Sequence, residues 1–225
     1  MRILFINPNS TVAMTDAAVR VARLTLPEAE ILGWTNHDGP PAIQGPRDGE
    51  AAVAGVRALL PRARAERVDA IVIACFDDTG LEEIRAAAHC PVIGIGQAAM
   101  HLAALIGRRF TVVTTLPVSV PVIEANVAAY GFGERCARVR PSGLPVLEVE
   151  AGGPAVVSRL QEEIAAARQE DDAEIVVLGC AGMALLRGEL QEGAAVTLID
   201  GIEAATVLAG ALANWTATTQ QLLRV

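Results

Sequence analysis

At 225 residues the chain is long enough for about 1.5 average domains, so one large or two small domains are expected. Hydrophobic residues make up 52% and charged residues 20%, which argues against a disordered chain and supplies a sizeable core. A net charge of −8 with only 3% aromatics leaves neither basic patches nor stacking platforms, which argues against nucleic acid as a partner.

Arg2–Ile6 reads as the first strand, and Asn7–Thr11 as the turn into a helix ending near Leu24, with Asn9 and Ser10 as N-cap residues. A strand rather than a secretory leader is expected at this opening. Glu30–Trp34 is a second strand. Asn36–Asp48, rich in glycine and proline, is a long loop of the kind that often carries function. A helix over Glu50–Ala65 precedes the apolar run Ala70–Ala74, whose short, continuous, β-branched character predicts a buried parallel strand. Thr79-Gly80-Leu81-Glu82 is a capping box opening a helix to Ala88. Pro91–Ile95 is a strand and Gln97–Ile106 a helix.

The pattern then restarts. Arg109–Thr114 echoes Arg2–Asn7 at an offset of 107. Helix Pro117–Tyr130, strand Ala137–Arg140, loop Pro141–Pro145 and helix Pro154–Arg168 follow. An apolar strand then runs into Cys180, a short helix lies near Ala184–Leu190, and strand Ala195–Ile199 leads to a helix from about Gly201. Val92–Ala99 aligns with Thr197–Ala204 at an offset of 105, the separation of Cys75 from Cys180. These matches predict an α/β protein of two pseudo-symmetric Rossmann-like lobes, each with a parallel sheet of about four strands, and an active site in the cleft between them. The expected lobes are 1–97 plus 207–225 and 98–206, the last helix, about Glu203–Leu212, crossing back to the first. The apolar stretch Ala204–Trp215 is too short to span a bilayer, so a cytoplasmic protein with no membrane partner is expected.

Cys75 and Cys180 end equivalent strands, where ligands sit in open α/β sheets, and are placed to face each other across the cleft. A thiol has a reference pKa of about 8.5, and the helix N-terminus expected after each would lower it. A thiolate on one face of a substrate removes a proton from carbon while a thiol on the other face donates one, which is two-base inversion. A neighbouring carbonyl and backbone N–H groups would carry the enolate. No metal or cofactor is needed. The cysteines form no C-x-x-C pair, the histidines show no metal spacing, and no lysine-based site is visible. Inert packing is the competing reading of a buried cysteine; it suits Cys90 and Cys136 better than the matched pair.

Gly94–Ala99 satisfies G-x-G-x-x-A, but the acid expected after the next strand is missing, the first being Glu124 inside a helix. Dinucleotide binding is therefore rejected. Asp77 and Asp78 read as capping or loop-hydrating groups, with ligand contact the lesser reading. Asn7, Thr114 and Thr115 are strand-end residues suited equally to capping and to substrate hydrogen bonding. A two-lobed small-molecule-binding protein without chemistry is the alternative of another class.

Asn7-Pro8-Asn9-Ser10-Thr11, Cys75-Phe76-Asp77-Asp78-Thr79-Gly80-Leu81, Pro91–Gly96, Leu178–Met183 and Ile199-Asp200-Gly201 together resemble the Asp/Glu/hydantoin racemase family, most closely its hydantoin and allantoin branch. The resemblance implies a cofactor-independent, metal-free racemase inverting C5 of a 5-substituted hydantoin, with a small hydantoin-like ring as substrate and a homo-oligomer as the assembly. It carries the proton-transferring pair onto Cys75 and Cys180. The substrate pocket falls on Asn7, on Phe76, Asp77, Asp78 and Thr79, on Thr114 and Thr115, and on Ala181 and Gly182. Thr79, where that branch commonly has proline, and Ala42–Gly45, in place of a more Ser/Glu-bearing loop, bear on which substrate is taken. The relatives implied as alternatives are amino-acid racemases of the Asp/Glu type and diacid isomerases or decarboxylases, the last typically needing one cysteine.

Overall fold

The computed structural model describes residues 1–222, with side chains to Thr219. Of the segment 207–225 expected to join the first lobe, residues 223–225 lie outside the described residues. The chain forms two all-parallel, four-stranded sheets. The first holds β1 (Arg2–Asn7), β2 (Glu30–Thr35), β3 (Ala70–Ile73) and β4 (Val92–Gly94) in the order β2-β1-β3-β4. The second holds β5 (Phe110–Thr114), β6 (Cys136–Pro141), β7 (Ile175–Leu178) and β8 (Thr197–Asp200) in the order β6-β5-β7-β8. The two orders are the same path drawn twice, so the internal repeat is a repeat of topology. The registers correct one part of the alignment. Ile71 pairs with Val92, and its counterpart Val176 pairs with Leu198. Gly94 therefore corresponds to Asp200, one residue out from the expected match.

The connections around the first sheet are α1 (Val12–Thr25), α2 (Pro46–Ala58), α3 (Leu60–Ala65), α4 (Leu81–Ala87) and α5 (Ile95–Ile106). Around the second they are α6 (Val120–Ala129), α7 (Val146–Ala151), α8 (Pro154–Glu170), α9 (Arg187–Gln191) and α10 (Gly201–Leu222). Two 3₁₀ turns, Pro117–Ser119 and Ala181–Leu186, precede α6 and α9. The single helix expected over Glu50–Ala65 is two. It starts early at Pro46, whose fixed φ suits a first turn, and breaks at Leu59, where Pro61 cannot donate into a continuing helix. The capping box at Thr79 is not formed. Gly80 caps α4 with φ 66°, a left-handed conformation open to glycine, and no side chain caps the helix. Likewise α1 is capped at Thr11, not by Asn9 or Ser10.

Alternate residues of each strand feed different cores, as the pleat requires. Ile3 and Phe5 point into a cluster shared with Val112, Val177 and Ile199 of the second sheet and with alanines of α5 and α10. Leu4 and Ile6 point the other way, into a first-lobe cluster with Val56, Leu60 and Ile84. Val113, Val176 and Leu178 meet Leu160 and Ile164 of α8 on the far side of the second sheet. Burying each of the larger side chains stabilises the fold by about 1.5–3 kcal/mol. The alanine faces let α5 and α10 pack together between the lobes, α5 reaching β7 and β8 while α10 reaches β3, β4 and α1. Each lobe thus lends the other a helix. Among the described residues no helix is long and apolar enough to cross a membrane.

Candidate active site

Residues following β1, β3, β5 and β7 enclose one small cavity. The first lobe contributes Cys75, Phe76 and Asp77, and the second Thr114, Thr115, Cys180, Ala181 and Gly182. Both cysteines are free thiols. Each opens a tight turn: the Asp78 N–H donates to the Cys75 carbonyl at 3.0 Å, and the Met183 N–H to the Cys180 carbonyl at 3.1 Å. Cys180 immediately precedes the 3₁₀ turn beginning at Ala181, whereas α4 begins at Leu81, well beyond Cys75. Only one of the two helix N-termini expected beside the thiols is therefore adjacent, and it belongs to a 3₁₀ turn.

The lowered thiol pKa values expected from the sequence are overturned. Burial pushes Cys75 well above the ordinary thiol range and Cys180 up to about 12. The Asp77 and Gly182 N–H groups favour the respective thiolates, but they do not offset the lost water. The Asp77 carboxylate adds a negative charge facing both thiols, and Glu150 adds another beside Cys180. The resting site therefore holds two protonated thiols.

Burial also pushes the Asp77 carboxyl up to about 7. The folded protein then keeps this proton at pH values where the unfolded chain has released it. Its contribution to stability is full below the ordinary carboxyl range and is lost as pH rises through about 7. Asp77→Asn is expected to reduce the drop in Tm between about pH 5 and about pH 8 relative to wild type, as thermal melts would show. An equal drop in both proteins would contradict this assignment.

Asp78 turns away from the cavity and caps α5. Its carboxylate accepts from the Gly96 N–H at 2.9 Å, the Gln97 N–H at 2.7 Å and the Tyr130 hydroxyl at 2.8 Å. In the second lobe the equivalent cap comes from the strand end itself, where Asp200 Oδ1 accepts from the Ile202 and Glu203 N–H groups, both at 2.9 Å. The first lobe has Gly94 there, and a Cβ on it would lie 1.9 Å from Asp78 Oδ1. A Cβ on Gly96 would lie 2.4 Å from the Phe76 carbonyl oxygen. The G-x-G-x-x-A glycines thus make room for the Cys75 turn, and the group held at this helix N-terminus is the protein's own Asp78 carboxyl, which burial pushes up to about 7 despite its three donors. Asn126 Nδ2 of α6 donates to the Asp77 carbonyl at 3.0 Å, so the second lobe grips the same turn twice.

The other expected site residues fall in two groups. Phe76, Asp77, Thr114, Thr115, Ala181 and Gly182 line the cavity. Thr114 also donates its hydroxyl to the Gly179 carbonyl at 2.9 Å, holding the residue before Cys180. Asn7 is buried behind the site: its Nδ2 lies 3.0 Å from Asn9 Oδ1 and 3.1 Å from Thr15 Oγ1, and its Oδ1 accepts from the Asn9 N–H. Asn9 lines the cavity in its place. Thr79 is likewise buried behind Cys75.

Sequence reasoning missed Asn9, Met14, Ile43, Ser119 and Val146 as lining residues, together with Ala74 and Gly179, which directly precede the two cysteines. Ile43 sits in the Gly/Pro-rich loop singled out as functional, and that loop spans the lobes. Gln44 Oε1 accepts from the Val146 N–H at 3.0 Å, and a Cβ on Gly45 would lie 2.8 Å from Val118. Beneath it the cavity measures about 30 Å³, room for about two waters. The sequence holds 18 basic side chains, all arginine, so no side-chain amine is present for a pyridoxal Schiff base. Among the described residues no three His, Cys, Asp or Glu side chains cluster as metal ligands would.

Paired strand ends around a small interlobe cavity, with an ionisable group on each side, define a two-lobed α/β enzyme site. The family described as Asp/Glu/Hydantoin racemase matches residues 3–209. The hydantoin racemase of Rhizobium meliloti is 46% identical over 213 residues, covering 94% of this chain and 88% of that protein. The allantoin racemase from Klebsiella pneumoniae superposes with a TM-score of 0.92 at 39% identity, over 96% of this chain and 89% of that one. The glutamate racemase from Francisella tularensis shares the fold, with a TM-score of 0.71 at 18% identity, over 96% of this chain and 82% of that one. The chain belongs to the Asp/Glu/hydantoin racemase family and is by class an isomerase.

Proposed function

We propose that this racemase inverts C5 of a 5-substituted hydantoin, allantoin being one such compound, by two-base proton transfer between Cys75 and Cys180. The observation that carries this reading is the pair itself: two free thiols, at equivalent strand ends of two repeated lobes, lining one cavity. The C5 proton of a hydantoin sits beside a ring carbonyl, so its removal gives a delocalised enolate. One cysteine, having first released its own proton to solvent, takes the C5 proton as thiolate and becomes a thiol. The other gives its proton to the opposite face of C5 and becomes a thiolate, and solvent restores the starting protonation. Positioned acid–base pairs of this kind contribute about 10²–10⁴-fold each. Asp77, ionising near neutrality, is a partner for the ring N–H and C=O groups. A hydantoin ring needs more than about 30 Å³, so the loop carrying Ile43 and Gln44 would lift from Val146 to admit it. The 46% identity to a hydantoin racemase supports the ring as substrate.

The test is polarimetry. Single enantiomers of allantoin and of 5-alkyl hydantoins are expected to lose optical rotation to zero, and D- or L-glutamate to keep it. Dialysis against chelator is expected to leave the rate unchanged. Rotation lost only with amino acids would overturn the substrate assignment, and loss on chelation restored by a divalent metal would overturn the mechanism.

A further inference from the structure

The two cysteine turns are matched closely enough for each to serve as a reference for the other. In both, the thiolate is favoured by the backbone N–H two residues on, Asp77 for Cys75 and Gly182 for Cys180. The match fails two residues later, where the first turn has Thr79 and the second has Ala184. Thr79 is 5% exposed, and among the described residues its buried hydroxyl has no hydrogen-bond partner. Buried hydroxyls without partners are rare and costly, and Thr79 does not cap α4, whose cap is Gly80.

The hydroxyl lies further along the same buried turn as Cys75, and its hydrogen bonding would favour the thiolate. A neutral thiol is a weak acceptor, whereas a charged acceptor makes a hydrogen bond about twice as strong. The Thr79 hydroxyl is therefore unpaired while Cys75 is protonated and gains a partner when Cys75 loses its proton. We propose that Thr79 is a positioning residue whose hydroxyl donates to the Cys75 thiolate, serving one face of the reaction with no counterpart on the other. This rests on the two-thiol reading. A donor bound only after proton loss stabilises the charged form selectively, which is how an interaction affects rate rather than binding alone.

The steady-state kcat/KM cannot reveal a one-sided effect. Enantiomers have equal free energy, so kcat/KM must be the same in both directions in every variant. The readout is therefore the thiols themselves. Wild type, Thr79→Val and Thr79→Ser would be treated with iodoacetamide at one fixed pH, and labelling of Cys75 and Cys180 followed separately by peptide mass. Thr79→Val is expected to slow Cys75 alkylation about tenfold and leave Cys180 unchanged, with Thr79→Ser near wild type. Racemisation by Thr79→Val is expected to fall by a similar factor in both directions. Unchanged or faster Cys75 labelling in Thr79→Val, or equal slowing of both cysteines, would overturn the proposal and return Thr79 to packing. Alkylation requires no turnover, so the two readings fail separately. If Cys75→Ser kept racemisation while the labelling shift held, the two-thiol mechanism would fall and the hydrogen bond would stand.

Discussion

Cys75→Ser and Cys180→Ser are each expected to lose racemisation by about 10²–10⁴-fold, the range that a positioned acid or base supplies. The substitution is nearly isosteric, and each turn is closed by backbone bonds that serine also makes, the Asp78 N–H to the residue 75 carbonyl and the Met183 N–H to the residue 180 carbonyl. The loss would therefore be chemical rather than structural, because a hydroxyl is a far weaker acid than a thiol. Cys90 packs against the first-lobe cluster and Cys136 against the shared core, neither lining the cavity. Their serine variants are expected to stay near wild-type rate. Polarimetry on all four variants, with far-UV circular dichroism as the check on folding, decides it. A near-native rate in either Cys75→Ser or Cys180→Ser would remove that thiol from the mechanism.

Asp78→Ala is expected to lower stability by about 2–4 kcal/mol, since it leaves two backbone N–H groups and the Tyr130 hydroxyl without their shared acceptor. For a chain of this size that corresponds to a fall in Tm of roughly 5–15 °C. Asp78 also holds φ at 51°, a left-handed conformation that aspartate tolerates better than alanine. Because Asp78 joins the Cys75 turn to the start of α5, activity would fall along with stability. Gly94→Ala attacks the same contact from the other side, driving a Cβ into the Asp78 carboxylate. Both variants should therefore melt early. A wild-type Tm in Asp78→Ala would show that the carboxylate is not the keystone of that turn.

The fold was legible because its signals are local and doubled. Ile3–Ile6 and Ile71–Ile73 are runs buried on both faces, which only a covered parallel strand requires, and the second lobe repeats them. That two cysteines line one cavity was legible for the same reason, since Cys75 and Cys180 close matched strands. What escaped depends on contacts between distant segments. Nothing near Asp78 in sequence announces that Gly94 lacks the side chain Asp200 supplies, so the residues alone suggest a cap without saying which helix it serves, and the resemblance places Asp78 in the pocket. Asn7 and Thr79 sit in the right motifs, but both are buried and neither lines the cavity. The thiol pKa values depart from the sequence expectation because a strand end does not by itself bring a helix dipole, whereas depth of burial in an acidic, arginine-free cavity governs them. Val146 carries no signal at all until the Gln44 loop lies across it.

The most direct test of one thiol per face is deuterium labelling by the two serine variants. Each is incubated in deuterium oxide with each separate enantiomer of the hydantoin, and C5 labelling is followed by proton NMR. The surviving thiol can still remove the proton presented to it, exchange it with solvent and return a deuteron to the same face. Cys75→Ser is expected to label one enantiomer, Cys180→Ser the other, and neither to convert what it labels. Labelling of the same enantiomer by both variants would contradict the account.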